Sequence, residues 1–148
     1  MSISGKKILV IVTGSIAAYK TCEIIRDLRK IGADVQVMMS DSAQKFIGKT
    51  TFSALSGKEV IVDLFSNEAK QGLQHVELSL EQDAIIVVPA TQNILCKDAN
   101  GIADDVVSTT LSICEQKTLF VPSMNTRMWQ NKSTQDAIGK LKNKGKYI

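Results

Sequence analysis

The sequence Ile8-Leu9-Val10-Ile11-Val12 is an unbroken apolar run near the start of the chain, and Thr13-Gly14-Ser15 follows it directly. A short run rich in β-branched residues predicts a strand that is covered on both faces. From residue 16 to residue 30, apolar residues recur at spacings of three and four, which predicts an amphipathic helix. Gly32 is expected to end that helix as its C-cap. The stretch therefore predicts a strand, a turn and a helix.

The same alternation of apolar runs and amphipathic stretches continues along the chain. Alternating strands and helices imply a parallel sheet with right-handed crossovers and helices on both faces, which is a three-layer α/β fold. Further strands are predicted at residues 35–39, 84–88 and 119–121, with a weaker one at 60–62, and further helices at 43–55, 102–115 and 133–142.

The composition is that of an ordinary globular chain of 148 residues, of which 44% are apolar and 22% charged. This length indicates a single domain that buries roughly two-thirds of its unfolded surface. The net charge of +3 comes partly from a basic tail at residues 140–146, which favours a solvated helix end over a nucleic-acid site. The ending Lys146-Tyr147-Ile148 has the character of another strand, so we expect the chain to be a truncated part of a longer protein.

The three cysteines, Cys22, Cys96 and Cys114, are widely spaced and form no C-x-x-C pair. This pattern suggests neither a disulfide framework nor a zinc site, and it favours small apolar helix residues in a reducing, cytoplasmic setting. The sequence has no apolar run near the ~20 residues that a membrane span needs, and its start has no signal-peptide pattern. We therefore expect no membrane association.

Ligands of an open parallel sheet bind outside the carboxyl ends of its strands. After the first predicted strand, Gly14 permits a tight turn, and Ser15 can cap the next helix or offer its hydroxyl to a ligand. The helix start favours a phosphate, but the loop is neither G-x-G-x-x-G nor a Walker loop, so a dinucleotide or nucleoside triphosphate is not supported. Taken alone, a capped turn is the better interpretation. Residues 40–42 and 89–94 form similar clusters, and either serine of the first can cap a helix.

The fourth polar cluster is Pro122-Ser123-Met124-Asn125-Thr126-Arg127-Met128-Trp129, after the run 118–121. A strand that ends in Pro cannot continue as a central strand, so the chain must turn here. The turn presents an amide, a cation and the only Trp of the protein, which together suit a planar or carboxylate-bearing ligand. An equally good interpretation is a strand-to-helix loop whose Trp129 fills a gap in the core.

Two other features have alternative interpretations. The only histidine, His75, is not assigned a catalytic role on composition, because a lone His is usually structural. Asp104 and Asp105 are paired carboxylates, which suit acid–base or metal chemistry, but at a helix start they more simply cap exposed amides. We predict a cap there and no metal site.

The pattern Pro-x-Met-Asn-x-x-Met-Trp resembles the signature of the homo-oligomeric flavin-containing cysteine decarboxylases. That family includes the phosphopantothenoylcysteine decarboxylases of coenzyme A synthesis and the peptidyl-cysteine decarboxylases of lantibiotic maturation. The resemblance covers about residues 6–145 and is strongest to the decarboxylase domain of bacterial coenzyme A biosynthesis. The other matching stretches are residues 13–20, 72–78, 89–94 and 101–110, in the expected order.

The resemblance implies a flavodoxin-like or Rossmann-like fold that binds FMN. The stretch 72–78 implies that His75 is the active-site base. This role is chemically reasonable, since an ordinary imidazole has a pKa of about 6.5 and can transfer protons near neutrality. The resemblance also implies that Asn125 holds the substrate carboxylate that is lost and that Met128 contacts the substrate. Gln92 and Ile94 depart from the family's Pro-Ala-Ser-Ala-Asn-Thr pattern, so we expect flavin binding with an altered ring environment. The residues implied to bind the flavin are Gly14, Ser15, Ile16, Ser40, Ala90, Thr91, Gln92, Asn93 and Met124.

The implied reaction converts 4'-phosphopantothenoyl-cysteine to 4'-phosphopantetheine and carbon dioxide. In the family's mechanism, FMN oxidises the cysteinyl thiol to a thioaldehyde, which is an electron sink for decarboxylation, and the reduced flavin then returns the electrons. Family members protonate the product with a cysteine on a substrate-covering flap, which falls beyond the end of this chain. We therefore expect FMN binding and oxidative decarboxylation, with impaired full turnover.

Three interpretations follow from the missing flap: a truncated enzyme, a peptidyl-cysteine type that stops at the enethiol, or a non-catalytic relative. The last would be a regulatory module like the fungal halotolerance proteins, which inhibit a phosphatase. Family members are trimers or dodecamers with FMN between neighbouring subunits, so the resemblance implies a homo-oligomer of this kind and a small-molecule substrate.

Overall fold

A computed structural model of the protein describes residues 2–63, 77 and 80–148. Its sheet has four parallel strands in the order β2-β1-β3-β4. The parallel sheet predicted from the alternating pattern is therefore confirmed. The strands are β1 (Lys7–Val12), β2 (Asp34–Met39), β3 (Ala84–Ala90) and β4 (Lys117–Pro122).

The helices confirm part of the predicted pattern and change its boundaries. The helix predicted at residues 16–30 is divided into a short 3₁₀ helix and an α-helix. Its C-cap is Ile31 and not the predicted Gly32, which follows directly and has a positive φ of 89°. The helix over residues 92–100 was not predicted, because its nine residues include two Asn and one Asp, which favour caps and turns. The 3₁₀ helices are Ile16–Lys20 and Asp41–Lys45, and the α-helices are α1 (Thr21–Lys30), α2 (Lys49–Ser56), α3 (Gln92–Asn100), α4 (Val106–Ile113), α5 (Thr126–Gln130) and α6 (Lys132–Asn143).

Helices cover both faces of the sheet, as the three-layer prediction requires. Leu9 and Ile85 point to one face and belong to a buried cluster with residues of α3, α4 and α6. Val10 and Val37 point to the other face and belong to a second buried cluster with residues of α1 and α2. Alternate residues of the same strands therefore face two separate cores, which explains why these strands are continuously apolar.

One further parallel bridge lies at each edge of the sheet. Ile61, in the weaker run, pairs with Met38 of β2, where its amide donates to the Val37 carbonyl at 3.0 Å. Tyr147 pairs with Leu119 of β4 in the same way. The strand character predicted for these two segments is confirmed as a single bridge in each case. Across the residues that the structure describes, no helix is long and apolar enough to cross a membrane.

The start of α4 confirms the predicted cap. Asp105 is the N-cap, and its carboxylate accepts from the Ser108 amide at 2.7 Å while the Ser108 hydroxyl completes a capping box. Burial acts to raise the pKa of Asp105, but hydrogen bonds from Lys97 and Ser108 outweigh it and hold that pKa below its ordinary value. Asp104 instead pairs with Lys97 at 2.6 Å, which lowers the pKa of Asp104.

Asp105→Ala is expected to lower the free energy of unfolding by about 1 kcal/mol, because the variant loses the cap. Asp105→Asn keeps an oxygen that can cap but loses the charge that attracts Lys97. Because the pKa of Asp105 is lower in the folded than in the unfolded state, its carboxylate stabilises the fold above the unfolded-state pKa. This contribution is lost as the pH falls through the folded-state pKa.

Urea unfolding at neutral pH and at about pH 3 measures this effect, since the advantage of the wild type over Asp105→Asn should shrink at acid pH. Asp136→Asn is the matched control, because Asp136 forms an exposed i,i+4 ion pair with Lys132 and such pairs contribute little. An Asp105→Asn variant as stable as the wild type at neutral pH would contradict the role given to the charge.

Candidate functional site

The loops that follow β1 and β3 are joined by the hydroxyl of Thr13. This buried side chain donates to the Pro89 carbonyl at 2.6 Å and accepts from the Thr91 amide at 3.1 Å. Both bonds lie just beyond the last paired residues of β1 and β3, Ile11 and Val87. The two loops are therefore held together where the strand ladder stops.

The loop after β4 meets the other two loops through Ser123. Its amide donates to the carbonyl of Ala90, the last residue of β3, at 3.0 Å. Its hydroxyl oxygen lies 3.1 Å from that of Ser15 in the β1 loop. Ser123 was not among the residues predicted for the site, although its place directly after the Pro that ends β4 is a signal that points to it.

The loop after β2 packs against Gly14. A Cβ added at Gly14 would lie 2.6 Å from the Cβ of Ser42, so this close approach requires a residue without a side chain. Ser40 is the N-cap of the 3₁₀ helix that follows, since its hydroxyl accepts from the Ala43 amide at 3.3 Å. The Ser42 hydroxyl lies 3.1 Å from that of Ser40. Of the two serines considered as caps, Ser40 therefore takes this role.

The same capping device recurs at the ends of β1, β3 and β4. Ser15 accepts from the Ala17 amide at 3.3 Å, Thr91 from the Ile94 amide at 3.4 Å, and Asn125 from the Arg127 amide at 2.9 Å. In each case a polar side chain in the loop after a strand satisfies an amide of the helix that follows. Polar residues predicted from four separate segments thus gather at one edge of the sheet.

The remaining predicted site residues occupy different environments at this edge. Ile16 is 74% exposed, which is unusual for a large aliphatic side chain beside a row of hydroxyls. Ala90 is fully buried, whereas Asn93 and Met128 are exposed. Met124 is half-buried and packs against the core cluster of α3, α4 and α6. Gln92 donates its amide to Thr134 of α6 at 2.7 Å, and His75 lies outside the described residues.

The structure corrects one interpretation of the segment 122–129. Trp129 is 39% exposed, so it does not fill a gap in the core of this chain. It lies on α5, a helix of five residues that contains no buried side chain. The exposed indole and the Asn125 amide are therefore both available to a ligand or a partner.

Metal-binding groups and ionised thiols are the other features that could support chemistry in the described part of the chain. Within residues 2–63, 77 and 80–148, no group of His, Cys, Asp and Glu side chains could hold a metal ion. Burial raises the pKa values of the Cys22 and Cys96 thiols, so at neutral pH both are ionised to a smaller extent than an exposed cysteine. Cys114 is buried at the end of α4.

A parallel α/β sheet with hydroxyl-bearing turns at its carboxyl edge defines this chain as an α/β ligand-binding domain. The full length of the chain, residues 1–148, matches the Flavoprotein family, and the chain belongs to that family. The predicted family resemblance is confirmed at this level.

Curated relatives match the chain over almost its whole length. The coenzyme A biosynthesis bifunctional protein CoaBC of Escherichia coli (strain K12) is 38% identical over 148 residues, which are 100% of this chain and 36% of that protein. The chain therefore spans little more than a third of the length of this relative.

Two solved structures share the fold along almost the whole chain. The FMN-dependent cysteine decarboxylase SpaF superposes with a TM-score of 0.92 at 29% identity, over 99% of this chain and 84% of SpaF. The peptidyl-cysteine decarboxylase EpiD superposes with a TM-score of 0.81 at 31% identity, over 98% of this chain and 86% of EpiD. These likenesses confirm the flavodoxin-like fold that the sequence predicted.

Gly14→Ala is expected to destabilise the protein by about 1–3 kcal/mol, because the added Cβ would push the β1 loop away from Ser42. Adding Ser42→Gly removes the atoms that clash and should restore most of the lost stability. Urea unfolding of the two variants measures this difference.

Gly139→Ala is the matched control, since a Cβ at this position of α6 has no neighbour within 4 Å. It should be neutral or slightly stabilising, because Ala favours a helix more than Gly does. Equal destabilisation of Gly14→Ala with and without Ser42→Gly would show that the close approach is not the reason for the glycine.

Proposed function

We propose that this chain binds FMN and uses it to decarboxylate the cysteine of 4'-phosphopantothenoyl-cysteine, giving 4'-phosphopantetheine for coenzyme A synthesis. The similarity to CoaBC supports the substrate, and the similarity to SpaF and EpiD supports FMN-dependent cysteine decarboxylation. The single observation that carries the proposal is that the loop leading to Asn125 meets the β1 and β3 loops at the carboxyl edge of the sheet, through the contacts of Ser123 with Ser15 and Ala90. The protein is proposed to act in the cytoplasm.

The residues at the sheet edge fit FMN. Hydroxyls of Ser15, Ser40, Ser42 and Ser123 can donate to phosphate or ribityl oxygens, and the exposed side chain of Ile16 offers an apolar surface to the ring. Thr91 is the N-cap of α3 at the same edge, and Gln92 and Asn93 are its first two residues. Ala90 belongs to the buried cluster against which Met124 packs. FMN supplies the two-electron oxidation of the substrate thiol that makes loss of carbon dioxide possible.

The Asn125 amide is proposed to bind the substrate carboxylate. Its Oδ1 atom is occupied, because it accepts from the Arg127 amide at 2.9 Å to cap α5. The Nδ2 atom carries two protons that the cap does not use. An NH₂ donor suits the carboxylate that is to be lost, and Met128, on the short helix that Asn125 caps, is proposed to contact the substrate.

His75 is proposed as the base that accepts the thiol proton. An ordinary imidazole has a pKa of about 6.5, so it can accept a proton near neutral pH. The proposal rests on the family resemblance of residues 72–78, since His75 lies outside the described residues.

The chain is also proposed to form a homo-oligomer, a trimer or a dodecamer, in which neighbouring subunits share each site. One face of β4 supports this, because Leu119 is 40% exposed and Val121 is 39% exposed. Tyr147, paired with Leu119 at the sheet edge, is 54% exposed. These three large apolar side chains lie along the edge strand β4 and form a surface that another copy of the chain would cover.

The absorption spectrum of the FMN-loaded protein tests the activity when phosphopantothenoyl-cysteine is added without oxygen. We expect the oxidised flavin bands to bleach, because the substrate thiol reduces the flavin. A peptide that ends in cysteine, added in a parallel sample, tests the peptidyl-cysteine alternative that EpiD suggests.

The His75→Asn variant should retain the bound flavin, but its flavin bands should not bleach when substrate is added. This result would separate the role of the base from binding of the cofactor. Flavin that stays oxidised with both substrates would contradict the enzymatic proposal and favour a non-catalytic binding module. Unchanged bleaching in His75→Asn would remove the role given to His75.

Asn125→Asp should fold normally, because an aspartate oxygen can cap α5 as the amide oxygen does. Its second oxygen replaces the donor and repels the substrate carboxylate, so we expect kcat/KM to fall by at least about tenfold. Asn125→Ala, which loses the cap as well, should also lower the free energy of unfolding. Steady-state release of carbon dioxide and urea unfolding measure the two effects, and full activity in Asn125→Asp would contradict carboxylate binding.

A further inference from the structure

The helix α5 depends on contacts outside itself for its position. It has five residues and no buried side chain, and a helix this short is not stable alone in water. In the proposed function it presents Asn125 and Met128 to the substrate. Whatever holds α5 in place therefore also sets the substrate side of the site.

Two side chains of α6 bind the last carbonyls of α5. The Thr134 hydroxyl donates to the Met128 carbonyl at 2.6 Å, and the Gln135 amide donates to the Trp129 carbonyl at 2.6 Å. In a helix this short, no amide of the helix itself reaches these carbonyls, apart from the turn that closes the helix. The end of α5 is thus attached to α6 by side-chain hydrogen bonds.

Thr134 is in turn bound by Gln92, which lies on a different loop. The Thr134 hydroxyl has one proton, and because a carbonyl can only accept, that proton goes to Met128. Thr134 must therefore accept its other bond, which comes from the Gln92 Nε2 atom at 2.7 Å. Thr134 is fully buried, so both of its hydrogen bonds lie away from bulk water.

We infer that Gln92 is a positioning residue for the substrate side of the site, acting on α5 through Thr134. Gln92 is the first residue of α3 at the end of β3, so the relay from Gln92 through Thr134 to Met128 connects the β3 loop with the helix that follows β4. A hydroxyl that accepts a hydrogen bond is a better donor, so Gln92 strengthens the bond from Thr134 to Met128. An alanine, which the family pattern has at this position, cannot make this contact.

The inference rests on the proposed function for the role of α5, and its test has one arm that needs no turnover. Hydrogen exchange of the amides of residues 126–131 is measured in the FMN-loaded protein for Gln92→Ala, Thr134→Val and the double variant. Exchange should speed up by roughly three- to tenfold in each, because each variant breaks the relay. The double variant should match the more affected single variant, since the two residues act in series.

Two matched variants serve as controls. Thr134→Ser keeps the hydroxyl and should behave as the wild type. Gln116→Ala removes another half-buried glutamine, whose side chain donates to the Leu80 backbone carbonyl. Gln116 directly precedes β4 and so lies at the amino end of that strand, away from the site. It should leave exchange in α5 unchanged.

The kinetic arm separates positioning from cofactor binding. Gln92→Ala should raise KM for the cysteine substrate by roughly three- to tenfold with a smaller change in FMN affinity. Weaker FMN binding at unchanged KM would make Gln92 a cofactor ligand and overturn the inference.

Exchange in Gln92→Ala equal to that in Gln116→Ala would also overturn the inference, even if Thr134→Val did not fold. Absence of turnover in the wild type would contradict the proposed function alone, because the exchange arm still decides the relay.

Discussion

The buried hydroxyl of Thr13 holds together the edge of the sheet on which the site is built. Pro89 has no amide hydrogen, and the register between β3 and β4 shifts between Val87 and Ala90, so the regular ladder cannot continue to the end of β3. Thr13 binds the Pro89 carbonyl and the Thr91 amide, which the ladder leaves without partners from β1. The β1 and β3 loops therefore keep a fixed distance, and Ser123 adds the β4 loop through the Ala90 carbonyl.

The strands could be predicted from the sequence because their burial on both faces leaves a continuous apolar signal. The residues of β1 from Ile8 to Val12 are all buried, and this is why residues 8–12 decide the fold. β4 is different, since Leu119 and Val121 are exposed and Thr118 and Phe120 are buried. Its short apolar run predicted a strand correctly but gave no sign that one face would be open.

Contacts between distant segments could not be predicted, because no local pattern encodes them. The basic tail looked like a solvated helix end, yet the Lys144 ammonium donates to the Asp98 carbonyl at 2.9 Å at the end of α3. The Asp98 side chain is buried, and burial raises the pKa of its carboxyl while the charges of Lys146 and Lys144 only partly oppose this effect. Charge spacing along the sequence does not show that these lysines face a buried acid of another helix.

The difficulty in separating caps from ligand-binding residues has a chemical origin. Ser, Thr and Asn cap helices because they carry an oxygen that accepts from a backbone amide, and the same residues bind phosphates and carboxylates through their protons. The structure separates the two uses atom by atom. Asn125 accepts with its oxygen and keeps its NH₂ group, while the pair Ser15 and Ser123 shares one proton and keeps the other.

Caps at the sheet edge thus use a side-chain oxygen as acceptor, while Asn125 keeps its NH₂ group and the pair Ser15 and Ser123 keeps one proton. A surface on which the acceptors are used by the fold and the donors remain free selects ligands rich in acceptor oxygens. Phosphate and carboxylate groups are such ligands, and both occur in the proposed cofactor and substrate. The anion binding proposed for this edge would then follow from how the helices begin.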